Sequence, residues 1–236
     1  MKKLGIIGGI GPEATIRYYN DIIKGYQHRL GTTQSLPELT IESINMYHMF
    51  KLLDADQLTQ VADYVSDAAN HLQQAGADFG LMCGNTPHIA FSQIQARTKL
   101  PLLSIVDTAL AHAKQLHLHR LLLLGTKFTM SNDFFSRPFQ DAGIQICLPS
   151  QEEQDWLHLK IVKELENGIV NPATKLQLMQ MVNHLINDND LDGVVLGCTE
   201  LPLIIEPTDL SVATFDIAKI QIEAAVNTIL GNDVLH

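Results

Sequence analysis

Short apolar runs alternate with longer amphipathic stretches along this chain, a pattern that predicts alternating strands and helices. Leu4-Gly5-Ile6-Ile7 reads as a strand closed by Gly8-Gly9. Pro12-Glu13-Ala14-Thr15 then opens a helix, with proline early and a carboxylate in the first turn. Residues 39–44 form a second strand. Over 56–75 the apolar positions Leu58, Val61, Val65, Ala68, Ala69 and Leu72 fall on one side and end at Gly76, as in an amphipathic helix. Residues 79–83 are a third strand and 87–99 a helix. The alternation then restarts, with strand 101–105, helix 107–116, strand 121–124, helix 132–142 and strand 143–148. Helices 151–167 and 172–187, strands 194–196 and 212–215, and helix 217–230 complete the chain.

Strands 121–124 and 194–196 are apolar throughout, as expected where both faces of a sheet are covered. Alternating β and α elements imply mainly parallel sheets flanked by helices. The chain is therefore expected to be an α/β protein of two similar halves. Counting elements puts the boundary between the halves near residues 100–106. One internal echo supports the duplication. Asp78-Phe79-Gly80-Leu81-Met82-Cys83-Gly84-Asn85-Thr86 parallels Asp192-Gly193-Val194-Val195-Leu196-Gly197-Cys198-Thr199. Ligands of open α/β sheets bind outside the carboxyl ends of strands, so the two tips point to an active site between the halves.

Composition narrows the classes of function. With 46% hydrophobic and 18% charged residues in 236, the chain can bury a substantial core. A net charge of −10 disfavours nucleic acid and anionic membrane as partners. No apolar run reaches the roughly 18 residues of a membrane span, and the first apolar stretch reads as a strand, not a signal peptide. The three cysteines, Cys83, Cys147 and Cys198, form no even-numbered disulfide framework and show no zinc spacing, which suits a reducing, cytoplasmic setting and no metal.

Cys198 follows a strand in Leu196-Gly197-Cys198-Thr199-Glu200-Leu201-Pro202. If a helix begins near Glu200, its amino terminus lends the thiol thiolate character, and the thiol can exchange a proton with carbon. A buried, inert cysteine is the competing reading. Asn85 and Thr86, at a strand–helix junction, either donate to a carboxylate or merely cap a helix that starts with Pro87. The hydroxyls of Gly125-Thr126-Lys127-Phe128-Thr129 likewise either bind a carboxylate or close a turn. Gly9-Ile10-Gly11 lacks the third glycine of a dinucleotide loop, has Ala14 there and carries Glu13, so a nucleotide cofactor is excluded. His48 lies at a plausible rim position, while His117 and His119 suit a solvated turn.

Taken together, these segments resemble the aspartate/glutamate racemase family. The resemblance is carried by Gly8-Gly9-Ile10-Gly11-Pro12-Glu13-Ala14-Thr15, Asn85-Thr86-Pro87-His88, Gly125-Thr126-x-x-Thr129-Met130, Gly197-Cys198-Thr199-Glu200 and Phe215-Asp216, in family order along nearly the whole chain. It implies two α/β halves related by a pseudo-two-fold axis, with the last helix returning to the first half, so that residues 1–104 with 210–236 make the first domain and 105–209 the second. It also implies a homodimer, no cofactor, and a small carboxylate or amino-acid substrate. In similar enzymes one thiol on each side of the substrate Cα removes or delivers the proton. The resemblance gives the catalytic roles to Cys198 and Cys83, and substrate binding to Gly11, Gly84, Asn85, Thr86, Thr126, Thr129, Thr199 and Glu200.

One position departs from the pattern. The family's first thiol stands immediately before Asn-Thr, where this chain has Gly84 and places its cysteine one residue earlier. A one-residue step along a strand turns a side chain to the opposite face. Cys83 is therefore expected to point away from the substrate. The expected activity is an asymmetric or weak racemase of aspartate or glutamate. A single-thiol decarboxylase or isomerase, or a non-catalytic carboxylate-binding homologue, is the alternative.

Overall fold

In the computed structural model, which describes residues 1–232, the alternation resolves into two four-stranded parallel sheets, each in its own compact unit. The first unit comprises Met1–Thr108 and the described residues from Ala218, 218–232. It contains β1 (Leu4–Gly8), α1 (Pro12–Leu30), β2 (Leu39–Ser43), α2 (Met46–Asp54), α3 (Leu58–Gln74) and β3 (Phe79–Met82). A 3-10 turn (Thr86–Ala90), α4 (Phe91–Gln95) and β4 (Leu102–Leu103) follow. The sheet order is β2-β1-β3-β4. Every residue of β1 and β3 is buried, because helices cover both faces. Ile7 and Met82 pack with Val61, Val65, Ala69 and Leu72 of α3. Leu4, Ile6, Phe79 and Leu81 pack on the other side with Tyr18 and Ile22 of α1 and with Ala218, Ile222 and Ala225. The last three lie on α10 (Ile217–Ile229). The Tyr18 hydroxyl donates to Gln221 Oε1 at 2.7 Å, and Gln221 Nε2 donates to the Leu103 carbonyl at 2.8 Å. Those two bonds tie α10 into this unit.

The second unit, Ala109–Ile217, repeats the plan. After α5 (Ile105–Gln115), which runs across the division, come β5 (Arg120–Leu124), α6 (Lys127–Ser131), α7 (Asp133–Asp141) and β6 (Gln145–Cys147). Then follow α8 (Gln151–Lys163), a 3-10 turn (Leu165–Asn167), α9 (Pro172–Asn189), β7 (Gly193–Leu196) and β8 (Ala213–Asp216). The order β6-β5-β7-β8 is the topology of the first sheet again. Leu122, Leu124, Val194 and Leu196 pack against Leu157 and Ile161 of α8 and Leu178, Val182 and Ile186 of α9. The echo between the halves has a structural meaning. Asp78, before β3, accepts the Lys3 N–H at 2.6 Å. Asp192, before β7, accepts the N–H groups of His119 and Arg120 at 2.7 and 3.0 Å. In each sheet the aspartate satisfies backbone donors at the start of the neighbouring strand.

Several expectations need correction. Strand β8 is hydrogen-bonded to β7, so residues 213–216 belong to the second sheet, although 210–236 was assigned to the first domain. Helix 87–99 is a 3-10 turn followed by five-residue α4. Helix 132–142 is preceded by a separate helix, α6, and helix 151–167 ends at Lys163. Helix α3 starts at Leu58 because Asp56 takes a left-handed φ of 55° as the chain leaves α2. Helix α2 itself went unforeseen. Its start is fixed by Asn45, whose Oδ1 accepts from the Tyr47 and His48 N–H groups at 3.0 and 3.4 Å.

Candidate active site

The carboxyl end of β3 is built around Gly84. The Cys83 N–H still bonds the Ile7 carbonyl at 3.0 Å, and the Gly84 N–H turns back to the Met82 carbonyl at 2.9 Å. Cys83 is fully buried among Leu4, Ile6, Tyr18, Phe79 and Leu81. Burial pushes its thiol far above the ordinary range, so it stays neutral and inert. The catalytic assignment of Cys83 is thereby corrected: it is a core side chain on the face of Phe79 and Leu81. Gly84 faces the other way. A Cβ there would lie 3.0 Å from the Ile10 carbonyl oxygen and 3.1 Å from Ile10 Cγ2. The space in which a side chain at 84 would start is occupied by the loop after β1. That loop is held by Thr15, whose hydroxyl accepts from the Gly9 N–H at 2.9 Å and donates to the Gly11 carbonyl at 3.0 Å. Gly9 has φ +77°, and any side chain there would collide with the Ile44 carbonyl. Gly11 faces open space.

The Asn85 side chain does not cap the following turn, and Thr86 is half-buried beside it. His88 anchors the segment from beneath. Its Nε2 accepts the Ile105 N–H at 3.1 Å, and its ring stacks on Phe91 at 5.4 Å. Burial pushes its pKa down to about 4, against a smaller opposing effect of the backbone acceptors of Asn85 and Gly84. The ring is neutral at physiological pH, and with Nε2 accepting, its proton sits on Nδ1.

At the carboxyl end of β7 the arrangement differs. The Gly197 N–H bonds the Leu124 carbonyl at 2.7 Å, a close approach that a side chain would obstruct. Cys198 follows, partly exposed. Its Sγ–H donates to Glu200 Oε2 at 2.8 Å, and the Thr199 hydroxyl donates to Glu200 Oε1 at 2.8 Å. The carboxylate of Glu200 thus turns back over its own segment. The chain continues into a three-residue 3-10 turn, Leu201–Leu203, too short to supply a helix dipole. The expected thiolate character is not found. Burial, then the charge and hydrogen bond of Glu200, with Glu166 adding, push the Cys198 thiol well above its ordinary value.

The other hydroxyls of this unit lie near the tip of β5. Thr126 starts α6 without capping it and stands half-buried, its Oγ1 3.5 Å from that of Thr129. Thr129 is buried, with its side chain against Gly125 and Gly197, so it packs the two strand tips together. Two groups escaped the sequence reading. Glu166, in the turn after α8, has its carboxyl raised by burial and then by the Glu200 charge, while His158 of α8 acts in the opposite direction. No motif spacing announces either. His48 is exposed on α2, edge-on to Tyr64 at 4.8 Å. Among the described residues no cluster of histidine, cysteine and carboxylate could hold a metal ion, and no helix is long and apolar enough to cross a membrane.

Comparison with known proteins matches these features to one family. Residues 7–225 match the Asp/Glu/Hydantoin racemase family. The broad specificity amino-acid racemase RacX of Bacillus subtilis (strain 168) is 21% identical over 232 residues, covering 96% of this chain and 98% of that protein. The crystal structure of a candidate Asp/Glu racemase from Yersinia pestis has a TM-score of 0.92 at 31% identity, covering 98% of this chain and all of the other (100%). That of an aspartate racemase homologue from Pyrococcus horikoshii OT3 has a TM-score of 0.87 at 33% identity, with the same coverage of 98% and 100%. Glutamate racemase from Francisella tularensis, at 15% identity and a TM-score of 0.67, shares the fold. The chain, with its two parallel sheets and its Gly-Cys-Thr-Glu tip, belongs to the Asp/Glu/Hydantoin racemase family, a family of amino-acid isomerases.

Proposed function

We propose that this protein is a cofactor-independent racemase of an acidic amino acid, aspartate or glutamate, in which Cys198 alone exchanges the Cα proton. The observation that carries this reading is the inequality of the two strand tips. One presents a partly exposed thiol hydrogen-bonded to a carboxylate, and the other presents Gly84 with Cys83 turned into the core. A Cα proton is very weakly acidic, so the carbanion needs donors aimed at the substrate carboxylate. Asn85, Thr86, Thr126 and Thr199 are the side chains for that task, with the open backbone at Gly11. Glycine moves no proton, so the face it serves depends on water. Hydrogen exchange on the Cys198 face then outpaces inversion.

The test incubates the protein with each enantiomer of aspartate and glutamate in deuterated water. NMR follows loss of Cα–H and chiral chromatography follows inversion. Exchange faster than inversion, abolished by Cys198→Ser, is the expected result. The specificity of the Bacillus subtilis relative makes a wider amino-acid panel the natural extension. The lack of a second thiol also favours a one-sided reading, a decarboxylase or isomerase in which a thiol protonates a carbanion from a single face. Absence of exchange with every amino acid, together with turnover of another carboxylate that depends on Cys198, would select it.

A further inference from the structure

Glu200 sits in the family motif, where it counts as a substrate contact, yet both its oxygens are engaged within its own segment. One accepts the Cys198 thiol and the other the Thr199 hydroxyl. A carboxylate so placed offers a substrate carboxylate only repulsion. We propose that Glu200 is instead a positioning residue that holds Cys198 in its proton-bearing form, aligned as a donor. The role rests on the reading that Cys198 exchanges a proton with substrate carbon.

The physical case has three parts. A hydrogen bond from S–H to an ionised carboxylate stabilises the thiol, and it is lost to charge repulsion when the sulfur ionises. Cys198 packs against the apolar cluster of the second unit, where low polarity strengthens that repulsion. The charges that act on it are both acidic, Glu200 on its own segment and Glu166 on the turn after α8. Of the nearby basic groups, Lys127 is taken up by Asp155 at 2.7 Å, and His158 acts on Glu166 and Asp155.

The chemistry follows. When Cys198 delivers its proton, the S–H bond breaks, a C–H bond forms at Cα, and the electron pair of the S–H bond stays on sulfur. The resulting thiolate lies beside the Glu200 carboxylate, so it recovers a proton from solvent. By microscopic reversibility the same group removes a Cα proton only in its thiolate form, which these charges make scarce. The base step therefore accelerates with rising pH up to the ionisation of Cys198.

Iodoacetamide alkylation of Cys198, followed by peptide mass spectrometry against pH, reads this state without any substrate and keeps Cys147 and Cys83 separate. Glu200→Gln lowers the alkylation midpoint by about one pH unit, tenfold more thiolate at a fixed pH below it. Glu166→Gln lowers it less, with the thiol–Glu200 bond intact, and it decides the matter if Glu200→Gln does not fold. Glu200→Asp returns the midpoint toward that of the unaltered protein. Coincident midpoints for the unaltered protein and both glutamine variants overturn the proposal. The Cα–H exchange profile should move to lower pH in parallel. A protein that exchanges no Cα proton, yet shows the alkylation change, retains the proton-holding role and loses the racemase reading instead.

Discussion

A single methylene decides much of the chemistry available to this chain. At Gly84 the route for a side chain runs against Ile10, so Gly84→Ala should cost about 1 kcal/mol of stability by overpacking, measurable as a lower urea midpoint. Cys83→Ala should cost about 1–2 kcal/mol as a small core deletion and leave Cα–H exchange dependent on Cys198, which labelled-solvent NMR would check. That Cys83 faces the core was legible from the period-two rule, because Phe79, Leu81 and Cys83 share a face. The ionisation state of Cys198 was not. It depends on a carboxylate two residues ahead folding back, and on Glu166 arriving from another element. His88 shows the same dependence on tertiary context. Its folded pKa of about 4 lies below the unfolded value, so between those limits the unfolded chain binds the extra proton. Stability should therefore fall by about 3 kcal/mol as pH drops from about 6.5 to 4. His88→Phe should flatten that part of the curve in denaturation followed by circular dichroism.

At the scale of elements, strands were the most legible features and helix limits the least. Apolar runs mark β1, β3, β5 and β7 without ambiguity, since both faces of each are buried. Helix ends depend on caps that a hydrophobic pattern does not report. Helix α8 begins at a reciprocal cap in which the Ser150 N–H donates to Glu153 Oε2 at 2.8 Å and the Glu153 N–H to Ser150 Oγ at 3.4 Å. Ser150→Ala should lower stability by about 1 kcal/mol, read by thermal melting. The paired aspartates are a stronger case. Asp78 accepts one backbone N–H beside the adjacent strand and Asp192 accepts two, so Asp192→Ala should cost about 1–2 kcal/mol and more than Asp78→Ala. Similar losses for the two variants in chemical denaturation would count against this accounting.

For the whole molecule, the repeated strand order 2-1-3-4 was foreshadowed by a short internal echo, although the assignment of β8 was not, since a four-residue strand carries too little pattern to reveal its partner. Connectivity has one further consequence. The second unit is a continuous run of chain, whereas the first draws on both ends, closing Leu4, Ile6 and Phe79 beneath α10. During synthesis, the earlier-made sheet emerges with one apolar flank covered only by α1 and completes it when α10 arrives, while the later-made half has all its pieces as soon as it clears the ribosome. Nascent chains released before Ala218 should therefore be the protease-sensitive, aggregation-prone species, even though most of their sequence has already been translated.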